Sequence, residues 1–88
     1  MTKKVKAAWV AALRSGKYSQ GQRHLEYGGK YCCLGVLCAI TKHKQTYGAV
    51  RKLLGPELAD KYQDMLVAMN DEKEKTFYQI AAYIQRYM

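Results

Sequence analysis

The sequence predicts an α+β fold, a small single domain (residues 1–88) of four or five helices packed with one short β-hairpin. Three observations carry that expectation. Apolar residues recur at helical spacing along most of the chain. A glycine pair, Gly28-Gly29, joins two short segments of strand character. The longest uncharged run, Tyr31–Ile40, has ten residues, where a bilayer crossing needs about 20. It is therefore a buried element for the rest of the domain to pack around.

In order along the chain, Thr2 caps a first helix that places Val5, Ala8, Trp9, Ala12 and Leu13 on one face. Gly16 ends it after Ser15. Lys17–Gly21 has turn chemistry. Gln22–Tyr27 alternates weakly, with Leu25 and Tyr27 pointing one way and His24 and Glu26 the other. The paired glycines supply the positive φ of a two-residue turn, and Lys30–Cys33 forms the return strand. A lone hairpin is marginal in water, so this one must lie against the helices.

The central buried helix is expected from about Leu34 to Lys44, with Leu34, Leu37, Cys38 and Thr41 at helical spacing and Val36 and Ile40 widening the stripe. Cations at its far end suit a helix C-terminus. Thr46 caps a short helix through Leu54, and Gly55-Pro56 is a stop followed by a start. The next helix carries Leu58, Tyr62, Met65, Leu66 and Met69 on one stripe, and Asn70–Lys75 reads as a charged loop. Thr76 and Gln79 have capping-box spacing and open a last helix with Phe77, Ile80, Ala81 and Ile84 inward. Trp9, Leu34, Leu37, Leu66, Phe77 and Ile80 are expected in one core.

Composition narrows the function classes. An apolar share of 49% excludes a disordered tail. Three cysteines, two of them adjacent, argue against a disulfide framework and for reduced, buried thiols in a cytosol. The start of the chain lacks a hydrophobic segment of signal type, and the expected location is cytoplasmic, with no membrane partner. Net charge is +8, unevenly distributed. Residues 1–30 hold seven Lys or Arg against Glu26 alone, residues 31–55 hold four with no acid, and residues 56–88 hold six acids against four bases. Such a field suits an anionic partner on one side.

Several chemistries are readable and weak. Cys32, Cys33, Cys38, His24 and His43 invite zinc, but adjacent cysteines rarely serve one tetrahedral ion and there is no Cys-x-x-Cys knuckle. Cys33 at a strand-to-helix junction with His24 as base would make a nucleophile, without an orienting Asp or Asn close by. A helix-turn-helix is rejected: no recognition helix follows Thr76–Ile84, and Thr76–Tyr87 carries little positive charge beyond Arg86.

The best binding candidate is the segment from Arg14 to Arg23. Arg14, Lys17 and Arg23 offer charge, Gln20 and Gln22 donor–acceptor pairs, and Tyr18 a stacking face, with Lys30 across the hairpin. Gly16 and Gly21 make the segment a flexible loop. It is not a Walker loop, because the preceding glycine of that motif is missing and the Gly-Lys pair follows a helix. Lys3, Lys4 and Lys6 fall on the polar side of the first helix and read as solubilising.

Leu13-Arg14-Ser15-Gly16-Lys17-Tyr18-Ser19-Gln20-Gly21, then Tyr31-Cys32-Cys33-Leu34-Gly35-Val36-Leu37-Cys38, and late in the chain Met69-Asn70-Asp71 with Phe77, Ile80-Ala81 and Ile84, together form a pattern. It resembles a family of small hypothetical proteins encoded by bacteriophages and prophages. The resemblance spans most of the chain and implies a viral origin and action in a bacterial cytoplasm, without an activity. Such proteins commonly carry an acidic residue after the third cysteine; here Ala39 stands there. Three functions follow in order: a non-enzymatic accessory protein binding an acidic host protein surface or a nucleotide signal, in counter-defence or host takeover; a basic nucleic-acid-binding module; and a small cysteine-dependent enzyme. None of them calls for a cofactor.

Overall fold

The computed structural model describes residues Met1–Met88. Five helices, α1 (Lys3–Arg14), α2 (Cys33–Ile40), α3 (Tyr47–Leu54), α4 (Pro56–Asp71) and α5 (Phe77–Tyr87), surround a core, with three two-residue strands at one side. The strands are β1 (Ser19–Gln20), β2 (Glu26–Tyr27) and β3 (Lys30–Tyr31). Local chemistry sets the helix starts. Thr2, Thr46 and Thr76 each accept a backbone N–H of the first turn, Thr76 and Gln79 complete a capping box, and Pro56 opens α4.

The hairpin turns at Gly28 and Gly29, whose φ angles of 58° and 82° are the positive values the tight turn demands, but its strands are only Glu26–Tyr27 and Lys30–Tyr31, shorter than the expected Gln22–Tyr27 and Lys30–Cys33. It belongs, however, to a three-stranded sheet of order β1-β3-β2. β3 pairs antiparallel with β2 and parallel with β1, in the register Ser19–Lys30 and Gln20–Tyr31. The extra strand escapes the sequence reading because Ser19–Gln20 has no apolar alternation; it exists only through pairing with β3. Leu25 is buried, whereas Tyr27, nearer the turn, is 73% exposed because the hairpin tip projects beyond the core.

The central helix α2 is nearly all buried and starts one residue before expectation, at Cys33. Cys32 is its N-cap, the thiol sulfur accepting the Gly35 N–H at 3.4 Å. The helix ends at Ile40, short of Lys44. There the Thr41 hydroxyl donates to the Leu37 carbonyl, and Lys42 turns the chain with a φ of 58°. Trp9, Leu34, Leu37, Leu66, Phe77 and Ile80 share one core as expected, joined by Leu54, Ile84 and the three cysteines. Trp9 spans it, donating its indole N–H to the Cys33 carbonyl at 2.8 Å.

Two details differ from the sequence pattern. Met65 is 43% exposed and lies outside the α4 stripe that faces the core. Asn70 and Asp71 belong to α4 rather than to a charged loop, and Asn70 is the one fully buried polar residue.

Candidate functional site

The loop after α1 is held by a polar cluster. Asn70 Nδ2 donates to the Gly21 carbonyl and to Asp71 Oδ1, both at 2.8 Å, and Asn70 Oδ1 accepts Gln20 Nε2 at 2.9 Å and the Cys33 N–H at 3.2 Å. Gln20 Nε2 also donates to the Lys75 carbonyl at 2.8 Å, and Gln20 Oε1 accepts the Phe77 N–H at 3.0 Å, satisfying the start of α5. Asp71 Oδ1 accepts the Arg23 N–H at 3.0 Å, where Arg23 adopts a φ of 70°. The amide of Gln20 is thus spent inside the chain, bracing the loop instead of facing a ligand.

The remaining sequence candidates divide among three surfaces. Gln22 and Lys30 line a small cleft of about 140 Å³ beside the hairpin, with Gly21, His24 and Tyr27. Tyr18 is half-buried and meets Tyr31 edge-on at 5.3 Å, and it shares a shallow hollow with Lys17 and Ile40. Arg14 lies elsewhere, with its guanidinium 5.6 Å over the Tyr78 ring. Arg23 is exposed on the loop.

Arg14 belongs to a larger feature that the sequence reading missed. A groove of about 640 Å³ runs along α1, floored by Ala7, Val10 and Ala11, rimmed by Lys3, Lys6 and Arg14, and bounded on the α5 side by Gln85. Those α1 positions recur at i, i+3, i+4, i+7, i+8 and i+11, one continuous helical stripe. The signal was present in the spacing, but lysines beside alanines read as solvated face until α5 supplies a second wall. Lys3 and Lys6, which the sequence predicts to be solubilising, therefore share a groove with Arg14.

Internal pairing uses almost none of the positive charge. The single ion pair joins Arg51 to Asp60 at 2.7 Å, and the Arg51 hydrogen bond holds the Asp60 carboxyl below its ordinary range.

The cysteines sit in the core. Cys33 is fully buried, its thiol directed at the Leu66 carbonyl at 3.7 Å. Burial pushes it well above the usual thiol range, and also raises Cys32 and Cys38. A helix N-terminus favours a thiolate, but here desolvation is the larger effect and opposes one. His24, the base considered for it, stacks on Tyr27 at 5.0 Å on the exposed side of the hairpin. No group of three His, Cys, Asp or Glu side chains is placed to hold a metal ion, and no helix is long and apolar enough to cross a membrane.

No curated protein and no solved structure matches the chain. A family described as a domain of unknown function (DUF8296) matches residues 1–57, from α1 through the start of α4 and including the loop, the sheet and the buried α2. With well over half of its length matched, the chain belongs to the DUF8296 family.

Proposed function

We propose that this protein is a non-enzymatic binder of an anionic partner, an acidic protein surface or a nucleotide, engaged through the cations of α1 and of the loop that follows it. One observation carries the reading: of fifteen Lys and Arg residues, only Arg51 forms an ion pair within the chain. Unpaired cations on a rigid scaffold create an attractive field for anions and are free to exchange water for a ligand's charge. The raised thiols support a binder over a cysteine-dependent enzyme. The likeness of its loop and Tyr31–Cys38 motif to phage-encoded proteins supports an accessory role in an infected bacterium, in counter-defence or host takeover, and buried unpaired thiols suit the cytoplasm there.

The test is a fluorescence titration against three anions, an acidic polypeptide, ATP and a short DNA duplex, at several salt concentrations. Saturable binding of the polypeptide or ATP is expected, and substituting Arg14, Lys17 and Arg23 together by Ser should weaken it about tenfold, or 1.4 kcal/mol. The control, Lys42, Lys44 and Lys52 to Ser, removes equal charge elsewhere and should change it little. Steeply salt-dependent duplex binding alone would favour the nucleic-acid module. Equal loss in both triples would make the interaction a diffuse field effect.

A further inference from the structure

We infer that the α1/α5 groove is a docking site for an acidic amphipathic helix of a partner protein. This rests on the anionic-partner reading above and adds the place and the kind of partner. The groove has the dimensions and chemistry of a helix seat. Lys3 and Lys6 stand at one end and Arg14 at the other; the eleven-residue step between Lys3 and Arg14 corresponds to about 16 Å of helix. Between them Ala7 and Ala11 are exposed and small, leaving a shallow apolar trough into which a partner's side chains can lie. No acidic residue lines it, so nothing within the site neutralises the three cations. Arg14 is positioned in advance by the Tyr78 ring, which lowers the cost of ordering its side chain on binding.

Charge complementarity selects the occupant. The cations are spread along the groove and point charge at both ends, matching a ligand with carboxylates at two ends of an apolar stripe. A nucleotide concentrates its charge at one end and is usually held by free backbone N–H groups at a loop or helix start. The middle of α1 offers none, because its N–H groups are committed to the helix ladder.

The experiment begins with a display selection in which a library of randomised helical peptides is panned against the full chain. The winning peptide is then synthesised, labelled and titrated. Winners should carry acidic residues flanking small or apolar ones, with the acidic ends about three turns apart. Substituting Lys3, Lys6 and Arg14 together by Ser should weaken the winner at least about tenfold, as should filling the trough by Ala7→Trp at unchanged charge. Ala11→Phe repeats the filling at a second exposed position, and an unchanged thermal midpoint in either variant shows that the fold survives. The Lys42, Lys44 and Lys52 triple should leave affinity within about twofold. Loss in the charge triple with none in a folded filling variant overturns the groove and leaves the anionic reading standing. Indifference to every charge variant overturns both. Failure to enrich acidic helices, or ATP or an oligonucleotide binding with the same variant pattern in their place, overturns the helical partner.

Discussion

Asn70 Oδ1 accepts the backbone N–H of Cys33 at 3.2 Å across 37 residues of sequence. The Cys33 carbonyl accepts the Trp9 indole N–H at 2.8 Å. The residue that opens the buried helix is therefore gripped from α4 and from α1 at once, and through Gln20 and Gly21 the same asparagine holds the basic loop. Stability and loop placement share one side chain.

Replacing Asn70 by Ala should cost about 3 kcal/mol, because it removes the fully buried side chain at the centre of a partly buried cluster and leaves the Cys33 N–H and the Gly21 carbonyl unpaired. Asn70→Asp should be comparably harmful, since a carboxylate would face the Gly21 carbonyl and the Asp71 carboxylate in place of a donor. Denaturant unfolding measures the first effect. Backbone amide exchange in residues 19–23 should rise in both variants; unchanged exchange there would contradict the bracing role.

Gly35 lies where the Leu25 carbonyl crosses the buried helix, and a Cβ at that position would overlap the carbonyl oxygen and carbon. Gly35→Ala should therefore lift the hairpin from α2 and destabilise the fold by about 3 kcal/mol. At Gly48, in the first turn of α3, an added Cβ would meet only the Thr46 hydroxyl, at an ordinary contact distance of 3.9 Å, and Gly48→Ala should instead stabilise by about 0.5–1 kcal/mol. Thermal melts of the two variants should shift in opposite directions; a shared sign would refute the close approach.

The thiol of Cys33 has a higher pKa in the folded chain than in the unfolded one because burial penalises the thiolate. The folded state therefore holds its proton more tightly, and stability is complete below the unfolded value. It falls as pH rises above about 8.5, where the unfolded thiol ionises first. A series of melts between pH 7 and pH 9.5 should show this loss, and Cys33→Ala, though less stable at neutral pH, should show a shallower decline. Parallel pH profiles would assign the alkaline loss to other groups.

The family match ends at residue 57, yet the core continues through Leu66, Met69, Phe77, Ile80, Ala81 and Ile84 on α4 and α5. A chain of residues 1–57 loses the α4 and α5 side of the core that covers Trp9, Leu34 and Leu37, and also loses Asn70. It should show no cooperative thermal unfolding and little near-ultraviolet dichroism, whereas the 88-residue chain should give a cooperative transition and a clear near-ultraviolet signal. A cooperative transition in the shorter chain would mean that the matched segment folds alone.

The sequence alone determined the α+β class, the starts of four of the five helices and six residues of the core. Threonines before helices, proline after Gly55, paired glycines and apolar spacing act over a few residues, and their physics needs no distant partner. Only the tertiary structure decided what the polar residues do. Asn70 looks like a loop residue by its acidic neighbours, and becomes buried because α4 runs two residues further, to Asp71, and presents it to Gln20, Gly21 and Cys33. Gln20 reads as a ligand-binding amide until its three hydrogen bonds to Asn70, Lys75 and Phe77 are formed. Lys3 and Lys6 read as solubilising until α5 turns their side of α1 into a groove. A hydrogen bond or a groove wall requires a second chain segment at a given place, and spacing within one segment cannot supply it.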